Sequence, residues 1–279
     1  MQSLKRNLQQ GLKRIGLYHR VKASPLYDLY WSFADRSIVD EEKRELNFYR
    51  NLLHGFQPGD CIFDIGANQG YKTETFLRLG AKVVAVDPDQ TNRKILEDKF
   101  LRYRLFPRPV TIVNRAVSDR NATETMWIDE PGSAKNTISR KWVDTLRADE
   151  KRFGHTLGFG QRQEVTTTTL EQIFVDHGVP FFVKIDVEGH ELNVLRGLRR
   201  PVPYLSFEVN LPEFRPEGLQ CVELLGGITP EGKFNYATDC VQGLALPEWL
   251  GAEQFSPILA GCASSSIEIF WKTPLGARQ

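Results

Sequence analysis

The stretch Cys61–Gly70, which reads Cys-Ile-Phe-Asp-Ile-Gly-Ala-Asn-Gln-Gly, decides the fold class of this 279-residue chain. It begins as a compact apolar run, the pattern of a strand that is covered on both faces. An acid, Asp64, and two glycines, Gly66 and Gly70, precede a helical pattern that starts at Tyr71. Glycines let the backbone turn tightly and approach a ligand, and free N–H groups lie at the start of a helix. The stretch therefore predicts a strand, a ligand-binding turn and a helix.

Four more compact, β-branched runs follow this stretch, with helical patterns between them. The runs span 82–87, 110–117, 181–186 and 204–209, and the helical patterns span 71–79, 90–101, 169–177 and 190–198. This alternation predicts an α/β fold with a mostly parallel sheet and helices on both faces. Segments 233–239 and 266–272 can add an antiparallel pair at one edge and so complete seven strands. Segment 118–165 is too long for an ordinary connection, and loops of this length are often functional.

The residues before Pro58 are polar and helical in pattern, and a Pro-Gly-Asp break at 58–60 ends them. We therefore predict an N-terminal helical extension over 1–58 and a main domain over 59–279. The first helix carries leucines along one face and a run of basic residues. Two interpretations stay open for it: peripheral contact with an anionic membrane surface or, as the favoured one, packing on the main domain with a solvated basic face.

Composition and charge narrow the class of partner. The formal net charge of +1 predicts no general affinity for nucleic acid. The four cysteines include no C-x-x-C pair, so a zinc or redox motif has no support, and their small number fits a reducing compartment. The first residues lack the apolar core of a signal peptide, and no apolar run approaches the ~20 residues of a membrane span. We therefore expect a cytoplasmic protein.

A second acid supports a nucleoside site beside the glycine turn. Asp87 ends the second run about 20 residues beyond the glycines, where an acid can accept hydrogen bonds from ribose hydroxyls. The less favoured alternative is that Asp87 caps a helix. The glycine spacing is G-x-x-x-G, which does not match the G-x-G-x-x-G fingerprint of dinucleotide binding. A nicotinamide-dependent oxidoreductase therefore stays the weaker alternative.

A second motif, Lys184–Glu191 (Lys-Ile-Asp-Val-Glu-Gly-His-Glu), joins the fourth run to a helix. Ligands of such sheets bind beyond the carboxyl ends of the strands, so Asp186, Glu188 and His190 are expected at the mouth of the site. Glu208, in the fifth run, belongs to the same edge. These groups can act as a general base or orient a substrate hydroxyl. They can also be solvated acids at a helix start, a buried pair or ligands of a divalent cation.

Taken in order, these motifs resemble the FkbM family of methyltransferases. The matching elements are the glycine motif, Asp87-Pro88, Thr168-Thr169-Leu170, the Lys184–Glu191 motif and Phe207-Glu208. The resemblance covers about Cys61 to Asn210. It implies a class I, Rossmann-like methyltransferase fold with a seven-stranded sheet, S-adenosylmethionine as cofactor, and transfer of a methyl group to a hydroxyl oxygen. Known members of the family act on polyketides, sugars and glycolipids.

By position, the resemblance assigns a set of residues to the cofactor, namely Asp64, Gly66, Ala67, Asn68, Gly70, Asp87, Ala116 and Val117. Asp64 is expected near the amino-acid end of the cofactor. Asp87 is expected at the ribose, where the family often has the longer glutamate. Ala116 and Val117 stand where adenine lies in class I enzymes, and because Ala116 is not acidic, backbone groups would read the base. His190 replaces an alanine that is often seen there.

We therefore predict an O-methyltransferase that acts on a hydroxyl of a sugar, a glycolipid, a polysaccharide or another natural product. Methyl transfer needs the attacking oxygen aligned with the methyl group and its proton removed. Asp186 or His190 is the predicted base. Glu188 and Glu208 are predicted to position the acceptor, and no metal ion is assigned.

Segment 118–165 is a candidate lid over the acceptor, with Asn136 and Trp142 as the predicted contacts. The alternative is an ordinary surface excursion. A non-catalytic glycan-associated or membrane-associated module stays the second alternative class of protein, because the first helix is basic.

Overall fold

The computed structural model describes residues 36–101, 103, 109–149 and 157–274. The helices in these ranges are α1 (Arg36–Leu52), α2 (Tyr71–Arg78), α3 (Gln90–Lys99), α4 (Arg140–Ala148), α5 (Leu170–His177), α6 (Glu191–Arg196), α7 (Arg215–Ile228) and α8 (Ala252–Gly261). The strands are β1 (Cys61–Ile65), β2 (Lys82–Val86), β3 (Val110–Val113), β4 (Ala116–Val117), β5 (Thr123–Ile128), β6 (Gln161–Thr168), β7 (Phe182–Ile185), β8 (Tyr204–Asn210), β9 (Lys233–Ala237) and β10 (Ser266–Lys272).

A seven-stranded sheet forms the centre of the fold, in the order β3-β2-β1-β7-β8-β10-β9. Neighbouring strands run parallel except at β10, which is antiparallel to both β8 and β9. The prediction of a seven-stranded, mostly parallel α/β sheet is confirmed. The last two strands form the antiparallel pair at one edge, with β9 outermost.

Helices cover both faces of this sheet, which explains why its central strands are apolar runs. Ile62 of β1 packs in one hydrophobic cluster with Phe76 of α2. Its neighbour Phe63 packs in the opposite cluster with Phe174 of α5. Successive side chains of a strand point to opposite faces. Each face of the strand therefore needs an apolar residue, and the pattern cannot alternate with polar ones.

The register of the sheet aligns the carboxyl ends of its central strands. Ile65, the last residue of β1, pairs with the last residues of β2 and β7. The N–H group of Asp186 donates to the carbonyl of Ile65 at 2.9 Å. Gly66, Asp87 and Asp186 therefore follow their strands at one edge of the sheet, where ligands of such folds bind.

The run 110–117 forms two strands, so the prediction of one strand there is wrong. β3 completes the main sheet, whereas β4 pairs with β6 in a second sheet of order β4-β6-β5. Between the two strands, the side-chain amide of Asn114 donates to the backbone carbonyl of Asp87 at 2.9 Å. This contact holds the chain where it leaves the main sheet.

The described part of segment 118–165 is folded, and the prediction of a long loop is also wrong. It contains β5, α4 and most of β6, and Trp142 and Leu146 of α4 are buried. Its two ends meet, because the N–H group of Ser118 donates to the carbonyl of Thr168 at 2.8 Å. Both β5 and β6 expose polar side chains over much of their length, so the sequence lacks a strong strand signal there.

Helix α1 packs against the main sheet. Tyr49, Leu52 and Leu53 are buried in the same cluster as β1 and β2, and the Tyr49 ring meets the Phe76 ring edge-on at 5.1 Å. The domain boundary after residue 58 stays a prediction. The basic first helix lies outside the described residues. Within the ranges described, none of the helices has the length and apolar character needed to cross a membrane.

Candidate active site

The glycine turn after β1 is shaped by close backbone contacts. Gly66 has φ +84°, and a Cβ atom there would lie 1.7 Å from the carbonyl oxygen of Asp186. Gly70 has φ +78°, and its Cβ would lie 2.6 Å from the Phe100 ring. Both glycines are therefore needed for packing of the turn against β7 and α3.

We expect Gly66→Ala to lower the free energy of unfolding by about 2–5 kcal/mol. The alanine would add left-handed strain to a clash with the backbone of the Asp186 loop. Gly59→Ala is the matched control, because Gly59 has φ +97° with no atom within 4 Å of its would-be Cβ. It should cost only the strain, about 1–2 kcal/mol. Urea denaturation of both variants measures the difference, and equal losses would show that the close contact does not matter.

Asp87 ties the glycine turn to the start of α3. One carboxylate oxygen accepts from the N–H of Asn68 at 2.8 Å. The other accepts from the N–H of Asp89 at 2.9 Å and the side-chain amide of Asn92 at 3.2 Å. Burial raises the pKa of Asp87 to about 6, against the lowering effect of these hydrogen bonds. Asp87 therefore lies at the predicted cofactor position and also organises it.

A cavity opens at this edge of the sheet, and we call it the cofactor cavity. Its walls come from the loops after β1, β2, β3 and β7 and from residues 133–138 of segment 118–165. Most of the predicted site residues line it, namely Gly66, Asn68, Asp87, Ala116, Val117, Asn136, Asp186 and Glu188. Three predicted cofactor residues are not among its lining residues: Asp64, Ala67 and Gly70.

Asp64 lies beneath the turn. Its side chain is buried, and its carboxylate accepts from the Thr73 hydroxyl at 2.5 Å. Burial raises the pKa of Asp64, although the nearby Lys184 ammonium works against the shift. Asp64 thus links β1 to the first turn of α2 in this structure.

The two residues predicted to contact the acceptor take different positions. Asn136 lies in the wall of the cofactor cavity, where its amide donates to the Asp89 carboxylate at 2.9 Å. Trp142 is buried, and its indole N–H donates to the Glu188 carboxylate at 2.9 Å. The Trp142 ring packs edge-on against Phe214 at 5.5 Å. Segment 118–165 therefore contributes to the wall of the cofactor cavity through Asn136 and holds Glu188 from behind through Trp142.

Three of the predicted catalytic residues come together. One carboxylate oxygen each of Asp186, Glu188 and Glu208 lie within 4.8 Å of one another. The Nζ atom of Lys184 lies 2.8 Å from the Asp186 carboxylate. Carboxylates this close suit a divalent cation, but a shared proton also accounts for their proximity.

The three carboxyl groups of Asp186, Glu188 and Glu208 differ in how readily they ionise. Burial opposes ionisation of Asp186, but the Lys184 ammonium outweighs it and holds the pKa of Asp186 below its usual value. Burial, followed by the charge of Asp186, raises the pKa of Glu208 to about 8. The same two causes raise the pKa of Glu188 well above its usual value. At neutral pH, Asp186 is therefore ionised, whereas Glu208 carries a proton.

Glu188 and Gly189 form a strained turn after β7. Glu188 has φ +54°, which is uncommon for a residue with a side chain. The Thr137 hydroxyl donates to its backbone carbonyl at 2.8 Å. The buried carboxylate of Glu191 accepts from the N–H groups of Val187 and Gly189 at 3.1 and 3.2 Å. Strain held by several contacts is a mark of a functional loop.

His190 lies apart from the three carboxylates. Its Nε2 atom is 3.0 Å from the Ser118 hydroxyl, and its Nδ1 atom is 3.2 Å from the side-chain amide of Asn193. Burial lowers the pKa of His190 to about 4, so the ring is neutral near pH 7. Both ring nitrogens have protein partners in this position.

Several polar residues near the site were not singled out from the sequence. Lys184 is the first residue of the Lys184–Glu191 motif. A lysine within the otherwise apolar run 181–186 is the sequence signal that could have identified it. Asn92 lines the cofactor cavity from α3. Lys72, Glu45 and Glu268 lie near the carboxylates but come from three distant segments, and no local pattern marks them.

The strand order, the glycine turn after β1 and the acid after β2 together define a class I methyltransferase. The sequence pattern of the FkbM methyltransferase domain matches residues 64–225, and the chain belongs to this family. The resemblance found in the sequence is thus confirmed. S-adenosylmethionine is the cofactor, as predicted, and the nicotinamide-dependent alternative does not fit the family.

Several solved structures are similar to this chain at low sequence identity. The FkbM methyltransferase of Methylobacillus flagellatus is 15% identical with a TM-score of 0.48, over 77% of this chain and 44% of that protein. The precorrin-6y C5,15-methyltransferase of Geobacter metallireducens is 10% identical with a TM-score of 0.42, over 83% and 88%. An O-methyltransferase of Bacillus cereus is 12% identical with a TM-score of 0.38, over 84% and 81%. The chain spans less than half the length of the Methylobacillus protein. No curated protein sequence matches it.

The residues of the cofactor cavity fit S-adenosylmethionine. The Asp87 carboxylate can accept from ribose hydroxyls. Beside it, the Oδ1 atom of Asn92 is buried and has no hydrogen-bond partner among the described residues. Buried polar atoms are rarely left unpaired. An orphaned acceptor in the cavity wall therefore matches a ligand that brings a hydroxyl donor.

Proposed function

We propose that the chain is an S-adenosylmethionine-dependent O-methyltransferase that acts on a hydroxyl of a sugar, a glycolipid, a polysaccharide or another natural product. The observation that carries this proposal is the cluster of three carboxylates at the inner wall of the cofactor cavity. Asp186 and Glu188 line that cavity, and Glu208 lies within reach of both. A hydroxyl acceptor needs such a group, because its proton must leave during transfer.

The chain's own residues divide the work between holding the cofactor and handling the proton. Asp87 and Asn92 would hold the ribose, and the backbone at Ala116 and Val117 would face the adenine. When bound, S-adenosylmethionine supplies a methyl group on a positively charged sulfur, which keeps the electron pair of the broken bond.

The Asp186–Glu208 pair would orient the acceptor hydroxyl and take up its proton as the new carbon–oxygen bond forms. Geometry supports this pair over His190, whose ring nitrogens bond Ser118 and Asn193. Glu188 would position the acceptor from the strained turn.

We expect S-adenosylhomocysteine, and not NAD, to bind the purified protein in a calorimetric titration. Asp87→Ala should weaken this binding roughly 10- to 100-fold, because a hydrogen bond to a charged group contributes about 1.5–3 kcal/mol. Asp176→Ala is the matched control, because Asp176 is exposed on α5. Binding of NAD, or equal affinity in the wild type and Asp87→Ala, would contradict the proposal.

Carbon NMR of the product identifies the atom that receives the methyl group. The protein is incubated with ¹³C-methyl S-adenosylmethionine and a panel of hydroxylated acceptors, and the product is examined by carbon NMR. We expect the chemical shift of a methyl ether. The shift of an N-methyl, S-methyl or C-methyl group would overturn O-methylation while leaving methyl transfer intact.

A further inference from the structure

A second cavity, of about 360 Å³, adjoins the carboxylates on the side of α1. We call it the α1-side cavity. Its walls come from α1, α2, β7, β8, β10 and the loop after β9. Asp186 lines both this cavity and the cofactor cavity. A ligand in the α1-side cavity would therefore meet the cofactor cavity at a candidate catalytic carboxylate.

A third cavity, of about 510 Å³, lies under α4, α6 and α7, and we call it the α7-side cavity. It includes Glu208, but among its lining residues it shares only Ile138 with the cofactor cavity. Glu208 lines both neighbouring cavities, so it does not distinguish them. The α7-side cavity meets the cofactor cavity at the apolar Ile138, whereas the α1-side cavity meets it at the Asp186 carboxylate. Of the two, the α1-side cavity thus offers the better path for a hydroxyl to the methyl group.

Charged side chains dominate the walls of the α1-side cavity. Lys184 pairs with Asp186, and Lys72 of α2 pairs with Glu45 of α1. The Glu268 carboxylate accepts from the Ser206 hydroxyl at 2.6 Å and from the Cys240 thiol at 3.2 Å. Few of the lining residues are apolar: Ala237, Val241, Ile267 and the weakly polar Cys240.

Stability alone does not explain this arrangement. The Lys184 side chain is 4% exposed. Removing such a charge from water is costly, and replacing a buried ion pair with apolar residues often leaves a protein equally or more stable.

We propose that the α1-side cavity binds the methyl acceptor, and that this acceptor is a neutral or amino-bearing carbohydrate. Hydroxyl groups of a sugar can donate to the carboxylates and accept from the lysines. Besides Glu208, which carries a proton at neutral pH, five acidic residues face two lysines in this cavity: Glu41, Glu45, Asp186, Asp239 and Glu268. An acceptor with a carboxylate or phosphate near the methylated hydroxyl would be repelled. This inference rests on the proposed function.

The test uses the full chain saturated with S-adenosylhomocysteine and three methyl glycosides: a glucoside, a glucosaminide and a glucuronide. Saturation-transfer NMR detects weak binding of each. We expect signals from the first two and little from the glucuronide. Absence of all three signals from protein that binds S-adenosylhomocysteine, or a preference for the glucuronide, would overturn the inference.

Variants locate the binding site. Glu45→Gln and Lys72→Met should each lower the glycoside signal, with about tenfold weaker binding, while the affinity for S-adenosylhomocysteine stays unchanged. Glu42→Gln is the matched control, because Glu42 lies on the same helix but pairs with the half-exposed Arg78. Thermal melting checks that each variant is folded.

Two results would distinguish a failure of the α1-side site from a failure of the proposed function. A loss in Lys141→Met, which alters the α7-side cavity, with Glu45→Gln and Lys72→Met unaffected, would overturn the α1-side site. A wild-type protein that fails to bind S-adenosylhomocysteine would overturn the proposed function itself.

Discussion

Glu208→Gln should lower the rate of methyl transfer by ~10²–10⁴-fold and remove its dependence on pH near 8. The pKa of Glu208 is raised to about 8, so this carboxyl is mostly protonated at pH 7 and ionised above pH 8. A base must be ionised to take a proton, so the wild-type rate should rise with pH through this value. Lys184 keeps the pKa of Asp186 low, which makes Asp186 the weaker base of the pair.

Rate–pH profiles from about pH 6 to 10, measured with saturating cofactor, check this prediction. Glutamine keeps the size of the side chain and can still accept from the Ser266 hydroxyl, which lies 2.7 Å from Glu208. His190→Asn is the comparison, because His190 is the other kind of base that the sequence indicates. We expect His190→Asn to retain the pH-dependent rise. Loss of the rise in His190→Asn, with Glu208→Gln active, would reverse the assignment.

Lys184→Met should lower the free energy of unfolding by an amount toward the lower end of the ~3–5 kcal/mol that removing one partner of a buried ion pair costs. The Lys184 side chain is 4% exposed and that of Asp186 is 35% exposed, so the aspartate left behind keeps some contact with water. Asp64 also loses a nearby positive charge. Urea denaturation at pH 7 measures the change.

The double variant Lys184→Met/Asp186→Asn separates charge from packing. It removes both charges, and it should recover much of the loss because no unpaired charge remains. The pH dependence gives a second check. The folded pKa of Asp186 lies below its unfolded value, so the stabilisation is present above the unfolded pKa and is lost as pH falls through the folded one. The double variant should lack this acid-dependent term, and a loss equal to that of Lys184→Met would refute the charge argument.

The sequence was most informative where strands are covered on both faces. The apolar run before Gly66 forms strand β1, and Gly66 and Gly70 form the turn that their spacing predicts. Both features depend on local geometry and burial. The break at Asn114 could not be predicted, because only two polar residues, Asn114 and Arg115, interrupt the run and the break depends on a contact with Asp87. Strands β5 and β6 were missed for a similar reason. They pair with each other across about 40 residues of chain, and few apolar residues mark them.

Within the site, closeness in sequence was only a partial guide to closeness in space. Asp186 and Glu188 meet Glu208 because β7 and β8 are parallel neighbours that end at one edge. His190 follows Glu188 by two residues, yet the start of α6 places its ring against Ser118. Glu45 and Lys72 meet through the packing of α1 on α2. Such tertiary pairings leave no periodic signal in a single sequence.

The backbone hydrogen bond between Ser118 and Thr168 has a consequence for how such proteins can diverge. The roughly 50 residues between them leave and re-enter the domain at adjacent points, so their number can change at little entropic cost and without moving a strand of the main sheet. The same residues supply Asn136 to a wall of the cofactor cavity and Trp142 as the hydrogen-bond donor to Glu188. Exchange of this segment between homologues is therefore a route by which selectivity could change while the cofactor-binding framework is inherited intact.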